Sequence, residues 1–198
     1  MNIAIIKYNA GNIQSVLFAM DRLGIHPKLT SDPEEIKAAD KVIFPGVGEA
    51  SSTMADLHNL GLDKVIPALK QPVLGICIGM QLMCRHSEEN NTDCLGIFDV
   101  DVKRFRPNEE QKMLKVPHMG WNTITDLKTN LFSDSLDNEY AYFVHSYYIP
   151  LNEYSIATTD YVHPFSAGMH RDNFYAVQFH PEKSAKAGEQ LLKNFLEI

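Results

Sequence analysis

The residues best placed to do chemistry are Gly75-Ile76-Cys77-Ile78-Gly79. They follow the apolar run Pro72-Val73-Leu74 and precede a helical pattern. This is the sequence form of a nucleophile elbow with cysteine in place of serine. A tight strand-to-helix turn drives its central residue into a strained backbone conformation, and flanking glycines remove side chains that would clash there. The thiol is then displayed at the mouth of a sheet. It also sits at a helix N-terminus, where the dipole and free N–H groups favour thiolate. A cysteine behind an apolar strand is equally a common core residue, so the pentapeptide alone leaves both readings open.

A second constellation lies roughly 100 residues on, at Gln178-Phe179-His180-Pro181-Glu182. Residues i and i+2 of an extended chain point to the same side, so Glu182 can hold the His180 imidazole in one tautomer. His180 would then take a thiol proton and return it to a leaving amine. Taken alone, a histidine near a turn with an incidental glutamate is the simpler reading; the elbow upstream tips the balance. A third candidate is Pro45-Gly46-Val47-Gly48 after a strand-like run. Its glycines let backbone N–H groups approach a ligand, and Val47 could supply an oxyanion donor beside Ile78. In isolation it is an ordinary strand-to-helix turn. It lacks the Lys-Ser or Lys-Thr ending of a phosphate loop.

The elements that must position these groups alternate through the first half. Strand-like runs at Ile3–Lys7, Lys28–Thr30, Lys41–Phe44 and Pro72–Ile76 are separated by helical patterns over Asn12–Gly24, from Asp32-Pro33, over Ala50–Lys70 with a break at Gly61, and over Met80–His86. That rhythm means crossover units and a parallel sheet. In the second half, Phe98–Phe105, Trp121–Thr125, Tyr140–Val144, Tyr154–Thr159, Phe165–His170 and Phe174–Phe179 read as closely spaced strands, suggesting antiparallel additions. Ala185–Leu196 reads as a closing amphipathic helix, and the polar stretch Lys103–Lys115 as a loop. The expected fold is α/β: a doubly wound, flavodoxin-like, mostly parallel sheet with antiparallel additions. Residues 1–198 form one domain, with the site at the carboxyl ends of the parallel strands.

Composition narrows the function classes. The chain has 198 residues and a net charge of −7, with scattered Lys and Arg, which argues against nucleic acid as a partner. A chain of this size buries roughly 70% of its unfolded surface and needs no disulfide or metal to hold a core. The three cysteines, Cys77, Cys84 and Cys94, match no zinc or thioredoxin spacing. The histidines show no paired ligand spacing, so no metal and no cofactor is expected. Apolar runs are too short for a membrane span, and no signal-peptide pattern opens the chain, which suggests the cytoplasm.

Gly75-Ile76-Cys77-Ile78-Gly79-Met80-Gln81 with His180-Pro181-Glu182 resembles the class I glutamine amidotransferases along nearly the whole chain. Pro45–Gly48, Pro117-His118-Met119-Gly120-Trp121-Asn122, His145-Ser146-Tyr147-Tyr148 and the opening Tyr8–Val16 narrow the resemblance. They point to the branch in which the glutaminase is a separate subunit serving a cyclase (synthase) subunit, as a heterodimer, in histidine biosynthesis. The alternative is a paralogue supplying ammonia to a different synthase, such as a sugar amidotransferase. The resemblance implies Cys77, His180 and Glu182 as a catalytic triad and Val47 and Ile78 as oxyanion-hole donors, Val47 after a loop rearrangement. It implies Gly46, Gly48, Gln81, Ser146 and Tyr147 as the binding site for L-glutamine. Asn12, Met119, Trp121, Asn122, Tyr142 and Lys183 would face the partner. Lys7 and Asn9 stand where the family usually has Asp and Gly, and Ile78 where it often has Leu; none is a triad position. His163-Pro164 lacks a carboxylate two residues on, so it is not expected to act in catalysis. Cys84, two helical turns after Cys77, and Cys94 are expected to be structural.

Overall fold

The structure is a computed structural model and describes residues 1–9 and 13–198; Asn12, expected at the partner face, lies outside the described residues. The first half runs β1 (Ile3–Ile6), α1 (Ile13–Arg22), β2 (Lys28–Thr30), α2 (Pro33–Ala38), β3 (Lys41–Phe44), α3 (Ala50–Asn59), α4 (Leu62–Val65), β4 (Val73–Ile76) and α5 (Ile78–Leu82). There follow β5 (Cys84–Ser87), β6 (Thr92–Asp93), β7 (Phe98–Arg104), β8 (His118–Thr123), β9 (Tyr140–His145), β10 (Tyr147–Tyr148), β11 (Ser155–Asp160), β12 (Pro164–Arg171), β13 (Phe174–Val177) and α6 (Ala185–Glu197).

Among the described residues the main sheet has the order β11-β12-β13-β4-β3-β1-β2. Strands β2, β1, β3, β4 and β13 run parallel, and β12 and β11 extend the edge antiparallel. Successive side chains of a strand face opposite sides, and the sequence uses both. Ile3, Ile5, Ile43, Leu74, Tyr175 and Val177 enter one core with Val16 and Met20 of α1 and Leu191, Leu192 and Phe195 of α6. Ala4, Ile6, Val42, Phe44, Val73 and Ala176 enter the other, with Ile36 of α2, Met54 and Leu57 of α3 and Leu62 of α4. Helices on both faces make the sheet doubly wound. The near-continuous apolar runs of the central strands follow from burial on both sides.

One expected element differs. The helix proposed over Met80–His86 ends at Leu82, where the Met83 N–H is shared between the Gly79 and Met80 carbonyls. Cys84–Ser87 is instead a strand, parallel to β7 and antiparallel to β6, in a second sheet of order β10-β7-β5-β6. Ladder hydrogen bonds and burial of Cys84 and Ser87 outweigh a short apolar run that reads equally as helix. Cys84 is therefore packed from a strand, and its thiol donates to the Met80 carbonyl at 3.6 Å. The polar stretch from Lys103 gives its first two residues to β7. Strands β8 and β9 pair with each other as a separate antiparallel ribbon, His118 opposite His145 and Trp121 opposite Tyr142.

Candidate active site

Strand β4 is paired on both sides, by β3 and β13, and the chain leaves it into α5 through one residue. That residue is Cys77, with φ 53° and ψ −108°, a region sparsely populated outside glycine. Its N–H still donates to Val177 at 2.9 Å, and its carbonyl accepts from Gln81 at 3.2 Å, so strand and helix hold the strained residue from both ends. The turn closes because position 79 has no side chain: a Cβ on Gly79 would lie 2.1 Å from the Phe44 carbonyl oxygen. The elbow expected from the sequence is present.

His180 arrives from the neighbouring strand β13, in extended conformation before a single turn over Pro181–Lys183. Its N–H donates to Tyr142 of the ribbon at 2.9 Å, and its carbonyl accepts from Ser184 Oγ at 2.6 Å. Nδ1 donates to Glu182 Oε1 at 2.7 Å; the two side chains are 1% and 3% exposed. Nε2 of His180 and Oε2 of Glu182 have no hydrogen-bond partner among the described residues. Burial disfavours the imidazolium, but the nearby Cys77 sulfur and the Glu182 carboxylate outweigh it and hold His180 above its ordinary pKa. That environment favours the protonated imidazole.

A cavity of about 340 Å³ opens beside the sulfur, lined by Val47, Gly48, Cys77, Ile78, Gln81, Ser146 and Tyr147. Every residue expected to bind glutamine or its oxyanion is on this wall except Gly46. Gly46 lies behind it, where a Cβ would sit 2.0 Å from the Tyr8 hydroxyl and 2.2 Å from Ile78 Cγ2. Tyr8 fixes the same loop by donating to the Pro45 carbonyl. Gln81 Nε2 donates to the Tyr147 carbonyl at 3.0 Å. Glu89, Pro117, Val144 and His145, which sequence reasoning did not assign to the site, complete the lining. His145 stood in a motif already singled out. Glu89 stood in an acidic stretch without periodicity, and only the β5–β7 sheet brings it to the cavity. Its carboxylate accepts from the Ala50 N–H at 2.8 Å, and burial, with Glu49 nearby, raises its pKa. His163 is exposed, its ring 5.9 Å from that of Tyr148, and it does not line the cavity. Among the described residues no three His, Cys, Asp or Glu are grouped to hold a metal ion.

The model of the family "Glutamine amidotransferase class-I" matches residues 6–198. The chain belongs to the class I glutamine amidotransferases. Full-length relatives of this amidotransferase carry the name imidazole glycerol phosphate synthase subunit HisH. One from Bacteroides fragilis (strain YCH46) is 63% identical over 198 residues, covering all of both chains. One from Bacteroides thetaiotaomicron is 59% identical over the same span, again covering both completely. One from Escherichia coli (strain K12) is 48% identical over 200 residues, covering both completely. In solved structures the fold matches a glutamine amidotransferase with a TM-score of 0.75 at 17% identity, over 100% of this chain and 98% of that one. PurLQS from Thermotoga maritima matches with a TM-score of 0.69 at 12% identity, over 99% and 97%.

Of the residues expected to meet a partner, the described ones gather on the ribbon and beside it. Met119 and Trp121 are 63% and 52% exposed, so Trp121 is not core. Trp121 stands edge-on to Tyr142, and Lys183 Nζ lies 5.8 Å above the Tyr142 ring. Asn122 is half-buried and donates to the Asp160 carbonyl at 2.8 Å. Among the described residues no helix is long and apolar enough to cross a membrane.

Proposed function

We propose that this chain is the glutaminase subunit of imidazole glycerol phosphate synthase. It hydrolyses L-glutamine in the cytoplasm and passes ammonia to a cyclase subunit, with which it forms a heterodimer. The cyclase uses the ammonia to make imidazole glycerol phosphate and an aminoimidazole carboxamide ribotide in histidine biosynthesis. One observation carries the reading: an elbow cysteine and a buried His180–Glu182 pair at 2.7 Å converge beside a cavity the size of a small-molecule site. The full-length HisH relatives support the choice of synthase.

Cys77 Sγ attacks the carboxamide carbon of glutamine as its proton passes to His180 Nε2. Glu182 holds the imidazole from Nδ1 and stabilises the imidazolium. Backbone N–H groups of Ile78 and Val47 receive the oxyanion, Ile78 from the first turn of α5, Val47 after its loop rearranges. His180 returns the proton to the departing nitrogen, ammonia leaves, and a γ-glutamyl thioester remains on Cys77. Water activated by His180 hydrolyses it to glutamate and the free thiol. Gln81, Gly48 and the backbone of Ser146 and Tyr147 hold the amino-acid end. Glu89, an anion on the same wall, faces the α-ammonium. Met119, Trp121, Asn122, Tyr142 and Lys183 form the docking face.

The test is glutamine hydrolysis by the chain assembled with its cyclase. Cys77→Ala should abolish glutamine-dependent synthesis and leave synthesis from added ammonia intact. Retained glutaminase turnover in Cys77→Ala rejects the triad. Failure of any cyclase to bind or to raise turnover rejects the assignment of the synthase.

A further inference from the structure

Behind the nucleophile lies a buried amide that the scheme above leaves unused. Gln178 follows β13, two residues before His180, and is fully buried. Its backbone N–H donates to Ala167 on β12 at 2.9 Å, which fixes its position. Its side-chain Oε1 accepts from Gln81 Nε2 at 2.9 Å, and its Nε2 lies 3.8 Å from Cys77 Sγ.

The orientation of both amides follows from the neighbours. The Tyr147 carbonyl can only accept, so the Gln81 amino group must turn toward it. The second hydrogen of that group serves Gln178 Oε1. A flipped Gln178 would set amino group against amino group and a carbonyl oxygen against the sulfur. The amino group of Gln178 is thus left facing Cys77. Tyr147 is itself pinned, since His145 Nδ1 donates to the same carbonyl at 2.7 Å.

Resting on the reading of Cys77 as nucleophile, we infer that Gln178 belongs to the hydrolytic machinery: its amide donates to the Cys77 sulfur and stabilises the thiolate, and Gln81 locks it in that orientation. A donor that bonds the charged form lowers a pKa. The sulfur thus meets the amide donor of Gln178 at 3.8 Å and, as a thiol, the Val144 carbonyl at 3.9 Å, and the amide is the contact that survives loss of the proton. The amide cannot take a proton from the thiol, so it holds the thiolate without competing with the base. Because Gln81 reaches both the glutamine cavity and Gln178, the nucleophile's hydrogen bond is tied to the wall that binds substrate.

The experiment follows alkylation of Cys77 by iodoacetamide against pH in the assembled two-subunit enzyme. The labelled peptide is resolved from those of Cys84 and Cys94, and kcat and KM for glutamine are measured alongside. Gln178→Met, which keeps volume and removes the donor, should raise the labelling midpoint by about one pH unit and lower kcat about tenfold. That is the low end for a hydrogen bond to a charged group, as suits a long contact to sulfur. KM should stay within about threefold, because Gln178 does not reach the cavity wall. Gln178→Glu, nearly isosteric, should raise the midpoint further by placing a second anion beside the sulfur. An unchanged midpoint in a folded Gln178→Met overturns the inference, even if kcat falls. If Gln178→Met does not fold, an unchanged midpoint in Gln178→Glu overturns it. A shifted midpoint with Cys77→Ala still turning over glutamine would instead sink the triad and leave the hydrogen bond standing.

Discussion

Lowering the pH should loosen this protein through two histidines outside the triad. His145 Nδ1 donates to the Tyr147 carbonyl at 2.7 Å, so its Nε2 carries a lone pair. That lone pair accepts from His118 Nδ1 at 3.2 Å, and His118 Nε2 faces the Asn122 amide at 3.4 Å. The chain admits one tautomer of each ring, and a further proton on either meets another N–H. Burial lowers His118 to about 4. Burial, with His118 and His180 nearby, lowers His145 to about 3 against the opposing Tyr147 carbonyl. An unfolded histidine titrates near 6.5, so on acidification the unfolded chain gains protons that the native state refuses. Stability is complete above about pH 6.5 and is lost as pH falls toward the folded values. At pH 5 the gap of roughly 1.5 units costs about 2 kcal/mol per histidine, or about 4 kcal/mol for the pair. That is a large share of a typical domain stability of about 5–15 kcal/mol. The assay is urea unfolding at pH 7 and pH 5, followed by circular dichroism, for the wild type, His118→Gln and His145→Gln. Each variant should be less stable at pH 7 yet lose about 2 kcal/mol less than the wild type between the two pH values. Equal losses in all three would show that the pair is not what acid attacks.

Three other perturbations separate binding, folding and assembly. Glu89→Gln should raise KM for glutamine about tenfold with kcat nearly unchanged, because the α-ammonium loses a charged partner on the cavity wall; steady-state kinetics of the assembled enzyme decide it. Gly79→Ala should cost at least about 3 kcal/mol or prevent folding, since its Cβ would meet the Phe44 carbonyl at 2.1 Å and that oxygen is backbone; thermal unfolding reads this directly. Trp121→Ala should weaken subunit association by about 2 kcal/mol, roughly thirtyfold in Kd, and leave the thermal midpoint of the isolated chain within a few degrees, because half its surface is exposed. Titration calorimetry and a thermal scan on the same preparations test the two halves.

What the sequence made legible was local chemistry and period. The elbow announces itself because a strained residue between glycines, after an apolar strand, is a short-range requirement. His180 and Glu182 are legible as i and i+2. The two-faced core is legible because Ile3-Ala4-Ile5-Ile6 and Lys41-Val42-Ile43-Phe44 offer apolar side chains to both sides of a sheet. Cys84–Ser87 was misread as helix because its partners lie elsewhere: β7 begins more than ten residues later, and no propensity in four residues records that pairing. Glu89 was invisible for the same reason. It reaches the cavity only because that second sheet turns an acidic segment toward α3, where the Ala50 N–H anchors it. Gly46 was placed in the glutamine site by resemblance, whereas the packing of Tyr8 and Ile78 explains the glycine without any ligand.

The β8–β9 ribbon joins what these elements would otherwise keep apart. Along β8, Met119 and Trp121 are exposed while His118 between the strands is buried. Along β9, the Tyr142 carbonyl accepts from the His180 N–H, and the Tyr142 N–H donates to Ser184 Oγ at 2.9 Å. Ser184 in turn donates to the His180 carbonyl, so the base is gripped on both sides of its backbone from one ribbon residue. At the end of β9, His145 holds the Tyr147 carbonyl that also orients Gln81. A cyclase seated on Trp121 and Met119, as proposed, would press on the two strands that hold the His180 backbone and the cavity wall. A shift of β9 by even half an ångström would lengthen the His180 hydrogen bond from 2.9 Å and move the imidazole relative to Cys77. Misplacement on the order of 1 Å can cost about a hundredfold in rate. Coupling between docking and hydrolysis would then need no message carried across the main sheet: the proposed docking face lies on the ribbon that holds the backbone of the base.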